Sequence, residues 1–317
     1  MSDLGHVLVL AGGLSYEREV SLRSGRRVSE VLRGAGISVE TRDTDASLVP
    51  SVLADPPDAV FVTLHGGAGE DGAIRTVLEL LSVPYVGAGP DACRVAYDKP
   101  TAKTVVRSFG LRTPESVTLP KETFHDLGAS AVLARIVERL GLPLFVKPSR
   151  GGSALGASMV RSAEELPAAM VGCFAYGDTA LIERCIDGVE VAVSVVDLGN
   201  GPVALPPVEI VPDEGMYDYA ARYTAGHTEF FAPARLSPEV SAACTEMAVT
   251  AHTALGLRDI SRTDLIVDAD GLPHFLEVNV APGMTETSSL PMAVEAAGDD
   301  LGTLCRILLE QAAARGA

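Results

Sequence analysis

Three oxygen-bearing side chains close to the C-terminal end have the types and spacing to do chemistry. Asp264 closes the run Ser261-Arg262-Thr263-Asp264, and Glu277 and Asn279 stand two apart in Phe275-Leu276-Glu277-Val278-Asn279. Between them, Leu265 to His274 reads as an apolar strand, an Asp270-Gly271 turn and a return strand, a hairpin that folds the two ends together. Residues two apart on a strand face one side, so Glu277 and Asn279 point the same way, beside Asp264 of the paired strand. A cluster of hard oxygen ligands suits Mg²⁺ carrying a nucleotide triphosphate. The same spacing also fits a solvated hairpin with acidic tips.

A second constellation lies at Pro143-Leu144-Phe145-Val146-Lys147-Pro148-Ser149-Arg150-Gly151-Gly152-Ser153-Ala154-Leu155-Gly156. An apolar strand delivers Lys147, and the glycine-containing loop after it can turn backbone N–H groups toward phosphates. It is no Walker A loop, because the lysine precedes the glycines. The alternative is a flexible Gly-Ser loop, but a lysine on a buried strand requires a charged partner. Tyr97-Asp98-Lys99 opens a helix ending near Gly110 and offers a second cation. The strand Ala180-Leu181-Ile182-Glu183 leads into Ile186, Asp187 and Glu190, which can supply an apolar purine slot and a ribose carboxylate. Taken alone it is any strand with polar ends.

The elements that must position these residues alternate between apolar strands and helical stretches, which predicts an α/β fold. His6–Ala11 is an apolar strand, Gly12-Gly13 turns it into a helix over Ser21–Gly34, and further strands follow near Ser38–Arg42 and Ala59–Leu64. The last ends at His65-Gly66-Gly67-Ala68-Gly69-Glu70-Asp71-Gly72, the strand end at which such sheets collect ligands. A helix over Ala73–Leu81 and a strand at Tyr85–Val86 complete a first domain near residue 95. Gly12-Gly13-Leu14-Ser15 lacks the three-glycine spacing of a dinucleotide fold. Glu17 at the mouth of that turn favours an ammonium group over a pyrophosphate, or else complements the helix N-terminus.

At 317 residues the chain has material for two or three domains, and 47% hydrophobic with 21% charged residues describes an ordinary globular protein. A formal charge of −17 opposes a nucleic-acid partner. Five cysteines without a Cys-x-x-Cys pair predict neither a disulfide framework nor a zinc site. With no basic n-region or long apolar run at the N-terminus, neither a signal peptide nor a membrane span is expected, and the location expected is cytoplasmic.

Taken in order, these motifs resemble the D-alanine–D-alanine ligases of the ATP-grasp superfamily. The resemblance runs through Gly12-Gly13, Glu17-Arg18-Glu19-Val20-Ser21, Leu64-His65-Gly66, Gly69-Glu70-Asp71-Gly72, Asp98-Lys99, Val146-Lys147-Pro148-Ser149-Arg150, Tyr217-Asp218-Tyr219, Tyr223, Arg262-Thr263-Asp264, Glu277-Val278-Asn279 and Pro282-Gly283-Met284-Thr285. It implies a three-domain ATP-grasp fold with an N-terminal open parallel-sheet (pre-ATP-grasp) domain. The domains expected are residues 1–95, a central ATP-grasp domain 96–187, and a C-terminal domain 188–317 with the metal site and a lid over Ile210–Thr228.

The activity implied is ligation of two D-alanines through a D-alanyl phosphate, giving the dipeptide, ADP and phosphate for cell-wall precursor synthesis. In the implied assignment, Asp264, Glu277 and Asn279 hold two Mg²⁺ or Mn²⁺ ions. Lys99, Lys147 and Arg222 hold phosphates, and Glu183, Ile186 and Glu190 hold adenine and ribose. Arg262 stabilises the transferring group. Glu17 takes the first ammonium, with Ser153 and Tyr223 closing the set and His65 nearby. Ser288 and the Gly283 backbone take the second carboxylate. Tyr223 goes with an amino-acid acceptor, and a homodimer is expected.

The chain departs from the family pattern at several points. Gly151 and Ala154 replace an acidic residue and a hydroxyl of the phosphate loop, Arg222 replaces a lysine, and Val280-Ala281 lose hydroxyls after Asn279. Glu286 brings a carboxylate toward the second-substrate site. An ATP-grasp ligase or cyclase for a different D-amino acid is therefore the rival reading. A non-catalytic sensor is opposed by the intact set Asp264, Glu277 and Asn279, and a dinucleotide oxidoreductase by the missing glycine fingerprint.

Overall fold

The computed structural model describes residues 4–152, 154–212 and 228–316. Within these, three sheets carry the chain. The first is fully parallel, in the order β2 (Val39–Arg42), β1 (Val7–Leu10), β3 (Ala59–Val62) and β4 (Tyr85–Val86). Every residue of β1 and β3 is buried, as strands covered on both faces by helices must be. Helix α1 (Arg18–Gly34) starts three residues earlier than the sequence pattern predicts, and Glu17 is its N-cap residue. The helix presses onto β1 at Gly25, where a Cβ would stand 2.4 Å from that of Ala11.

The second sheet is antiparallel, in the order β5 (Ser116–Pro120), β8 (Thr179–Arg184), β6 (Leu144–Pro148) and β7 (Ser158–Val160). Phe124, Leu133, Ile136, Met170 and Cys173 of the flanking helices bury one of its faces. The opposite face, with Lys147 and Glu183, lines a cavity.

The third sheet runs β12 (Thr228–Phe231), β11 (Val208–Pro212), β9 (Gly188–Asp197), β13 (Ile260–Asp268) and β14 (Pro273–Asn279), with β10 (Pro202–Ala204) paired to β9. The expected hairpin is β13 and β14. Asp268 closes its turn by accepting from the N–H groups of Asp270 and Leu272, and Gly271 adopts φ 76°. Thr263, Leu265 and Val267 alternate inward, and Asp264 and Ile266 face the cavity.

Three helices join the bodies. The helix Pro90–Tyr97 and the following Lys99–Ser108 put Cys93, Ala96, Ala102 and Val106 into one core with Val191, Val193, Phe275 and Val278 of the third sheet. The last helix, Leu301–Arg315, packs Leu304, Cys305, Leu308 and Leu309 into the core that holds Val7, Val9 and Phe61 of the first sheet. Strand ends of all three sheets thereby meet at a single cavity.

Candidate active site

The cavity measures about 1600 Å³ and is lined from all three sheets, by Glu17 and Gly66, by Lys147 and Glu183, and by Asp264 and Glu277 among others. Its C-terminal wall is built by the hairpin register. Asp264 lies directly opposite Glu277, and Arg262 opposite Asn279. The pairing slips between Asp264 and Leu265, leaving Leu276 as the extra residue of a β-bulge. Phe275 and Val278 therefore keep to the core while the consecutive Leu276 and Glu277 both reach the cavity.

Both carboxylates meet cations. Arg262 forks onto Asp264 through Nε at 2.7 Å and Nη2 at 2.8 Å, and Lys99 Nζ lies 3.2 Å from Glu277 Oε2. Asn279 turns Oδ1 to the Ala281 N–H at 2.8 Å. A carboxylate from each of two paired strands, with an amide oxygen two pairs further along, is a donor set of the chemistry a hard divalent ion takes.

Asp98 positions Lys99. It caps the helix by accepting from the Thr101 N–H and forms an ion pair with Arg150 at 3.0 Å. The Lys99 N–H donates to the Ser149 carbonyl, and its ammonium donates to the Gly151 carbonyl. Lys99 thus ties the start of the Gly-rich loop to the hairpin carboxylate Glu277, across two sheets.

Lys147 and Glu183, expected on phosphate and adenine, are ion-paired with each other. Lys147 Nζ lies 2.7 Å from Glu183 Oε2, and Lys103, one helical turn after Lys99, pairs with Glu183 Oε1 and donates to the Pro114 carbonyl. Glu183 is 2% and Lys103 1% exposed. Burial alone would raise the Glu183 carboxyl, but the charges of Lys147 and Lys103 outweigh it and hold its pKa below the ordinary value. Lys103 was not singled out from the sequence. The available signal was its i, i+4 spacing from Lys99, which puts both ammonium groups on one helix face. Ile186 and Glu190 line the same end of the cavity.

At the opposite end, Glu17 lies between the Gly66 turn and the Gly-rich loop. A Cβ on Gly66, at φ 66°, would fall 2.4 Å from Glu17 Oε2, and one on Gly152 would fall 3.3 Å from the same carboxylate. His65 sits behind, buried and neutral. Its Nδ1 donates to the Ala281 carbonyl at 2.9 Å, so Nε2 accepts from Ser24 Oγ at 2.8 Å, and Ser24 accepts from the Met284 N–H. Burial holds its pKa below the usual value. This chain of bonds pins the Ala281–Met284 turn to the first sheet.

That turn carries Gly283, where a Cβ would stand 2.6 Å from Ser288 Oγ. Ser288 Oγ also meets Thr285 Oγ1 at 2.8 Å and the Thr285 N–H at 3.1 Å. No motif spacing marks Glu70 as a titrating group, yet it is 4% exposed and its pKa is pushed up to about 8, first by burial and then by Glu17. Ser153, Arg222 and Tyr223, with most of the expected lid, lie outside the described residues.

Comparison with known proteins agrees over the whole chain. Residues 38–88 match the family model described as D-ala D-ala ligase N-terminus, and residues 105–310 match D-ala D-ala ligase C-terminus. A D-alanine–D-alanine ligase of Bordetella petrii is 40% identical over 312 residues, covering 98% of this chain and 93% of the relative. Among solved structures, the VanG D-Ala:D-Ser ligase from Enterococcus faecalis superposes with a TM-score of 0.83 at 28% identity, covering 98% of this chain and 99% of the other. The D-alanine–D-alanine ligase from Bacillus anthracis complexed with ATP does so with a TM-score of 0.79 at 27% identity, covering 98% and 97%. Family models over most of the chain and a relative 40% identical over 98% of it agree with one another: the chain belongs to the D-alanine–D-alanine ligase family.

Proposed function

We propose that this chain joins two D-alanines at the expense of ATP, releasing ADP and phosphate, through an acyl phosphate of the first D-alanine. The observation that carries the reading is the cross-strand pair Asp264 and Glu277, with Arg262 and Lys99 on the carboxylates, in one cavity with Glu17. ATP enters along the second sheet, with Ile186 and Glu190 toward adenine and ribose and Lys147 toward the phosphates. Glu183 orients Lys147 and faces the purine end. Asp264, Glu277 and Asn279 would hold two Mg²⁺ or Mn²⁺ ions, which when bound would neutralise charge on the β- and γ-phosphates.

Glu17 takes the ammonium of the first D-alanine, leaving its carboxylate to attack the γ-phosphorus. Arg262 and Lys99 stabilise the charge that develops on the transferring group. The amine of the second D-alanine, its carboxylate held by Ser288 and the Gly283 backbone, attacks the acyl carbon and expels phosphate. Ser153, Arg222 and Tyr223 are proposed to close the site.

The bodies 1–95, 96–187 and 188–317 are proposed as the domains, the chain as a homodimer, and the cytoplasm as its location, where the dipeptide would enter peptidoglycan synthesis. Among the described residues no helix is long and apolar enough to cross a membrane.

The test is ATP- and Mg²⁺-dependent phosphate release with D-alanine alone, the product identified by mass spectrometry. A D-alanyl-D-alanine mass is expected. Phosphate release only when D-serine or another D-amino acid is added would reassign the acceptor, a case that the exposed Glu286 before Ser288 gives reason to include.

A further inference from the structure

Two exposed tyrosines meet across the cavity from different sheets. Tyr16, 74% exposed, precedes Glu17 in the turn after β1, and Tyr176, 45% exposed, follows the helix Leu166–Phe174 of the second sheet. Their ring centroids are 5.8 Å apart with planes at 71°, an edge-to-face contact. Both rings line the cavity.

Each ring is mounted on a fixed support. Ser15 Oγ donates to the His65 carbonyl at 2.6 Å and accepts from the Glu17 N–H at 3.1 Å, and Arg18 donates to the Gly13 carbonyl at 2.8 Å. Tyr176 N–H donates to the Cys173 carbonyl at 3.1 Å. The Tyr176 ring also backs the Gly-rich loop, for a Cβ on Gly156, at φ 72°, would stand 2.9 Å from its Cδ2. One face-to-edge contact therefore connects the residue next to the ammonium-binding carboxylate with the loop that faces the phosphates.

We propose that Tyr16 and Tyr176 are positioning residues, a paired aromatic contact that holds the Gly-rich loop against the Glu17 turn so that ATP and the first amino acid are bound in register. The inference rests on the ATP and D-alanine reading of the cavity. Because the rings touch each other and not the reacting atoms, their loss acts on binding more than on the chemical step. An edge-to-face pair of this kind corresponds to about a 2- to 10-fold change in an equilibrium constant.

The test compares Tyr16→Ala, Tyr176→Ala, the double variant and Tyr16→Phe. Steady-state kinetics with ATP and D-alanine are measured, and affinity for a non-hydrolysable ATP analogue is measured by calorimetry without turnover. Each single alanine variant should raise KM for ATP and for the first D-alanine by about 2- to 10-fold with kcat within about twofold, and weaken the analogue to a similar degree. The double variant should be no worse than the worse single one, and Tyr16→Phe should behave as wild type. Unchanged KM and analogue affinity in the single variants, effects that multiply in the double, or a Tyr16→Phe as impaired as Tyr16→Ala would each overturn the proposal. Failure of the wild type to turn over D-alanine would defeat the functional reading instead, and the analogue affinities would still decide whether the ring contact couples the two loops.

Discussion

The Lys103, Glu183 and Lys147 cluster of the second sheet and the Lys99, Glu277, Arg262 and Asp264 cluster of the hairpin both pair cations with carboxylates, in different surroundings. Lys103 and Glu183 are almost wholly sealed, 1% and 2% exposed at the side chain, while in the hairpin the side chains of Arg262 and Glu277 remain 15% and 18% exposed. In the sealed cluster a single carboxylate faces two ammonium groups, one on each oxygen, and removing either cation leaves the other pair in place but strips one buried carboxylate oxygen of its partner. In the hairpin two carboxylates face two cations at the edge of a cavity, where an incoming phosphate or metal ion can exchange with a partner at small cost. Sealing makes Lys103 and Glu183 a fixed support behind Lys147, whose side chain is 11% exposed in the cavity, and access at Arg262 and Glu277 makes the hairpin the place where charge can be rearranged during a reaction.

The largest effect should come from breaking the sealed cluster. Lys103→Met removes the partner of two buried acceptors, Glu183 Oε1 and the Pro114 carbonyl, while Lys147 stays on Glu183, and the fold should lose about 2–4 kcal/mol, read as the shift in a urea unfolding transition. A loss under about 1 kcal/mol would mean that water reaches Glu183 and that the contrast between the clusters is false. Glu277→Gln should do the reverse. Unfolding should stay within about 1 kcal/mol of wild type, because one partly exposed ion pair is worth little. The rate of D-alanine-dependent phosphate release should fall about 10²- to 10³-fold, the size of effect expected for a group that organises charge in the transition state.

A smaller and more local effect is expected at the turn joining the hairpin to Ser288. A methyl group in Gly283→Ala would meet Ser288 Oγ at 2.6 Å, so either the turn or the serine must move. Crowding of this kind costs about 1–3 kcal/mol. Here it should fall on acceptor binding, with the apparent KM of the second D-alanine raised about 10-fold and ATP binding unchanged. An equal rise in both constants would show that the turn also supports the nucleotide half.

Much of the fold was legible because it depends on local pattern. The buried runs of β1 and β3, the Gly12-Gly13 turn and the Asp270-Gly271 hairpin follow from hydrophobic periodicity and turn chemistry, and the cross-strand facing of Asp264 and Glu277 follows from strand geometry. Contacts between distant segments were not legible. Nothing near Glu183 announces that Lys103, eighty residues earlier, closes on it. The bulge at Leu276 leaves no mark in a sequence that reads as a regular strand, yet it brings Leu276 and Glu277 to the cavity together. Helix Leu301–Arg315 returns to the first sheet, far from its neighbours in sequence, and only packing places it there.

Glu70 offers the finest test, because it is a sealed carboxylate without the two close ammonium groups of Glu183. Its Oε1 is buried with no hydrogen-bond partner among the described residues, and burial followed by the charge of Glu17 pushes its pKa up to about 8 from an ordinary 4.5. Below about pH 4.5 the folded and unfolded chains both carry this proton, and its contribution to stability is fully present. As pH rises from there through 8 the folded chain holds a proton that the unfolded chain has released, so that contribution is progressively lost. Between pH 7 and pH 9 the loss should be about 1 kcal/mol. In Glu70→Gln, which cannot ionise, that part of the slope should vanish, so the variant gains on the wild type as pH rises. Parallel stability curves for the two proteins across that range would mean that Arg75 compensates Glu70 as fully as the lysines compensate Glu183. The number of adjacent cations, rather than the burial that the two carboxylates share, would then no longer separate the two sites.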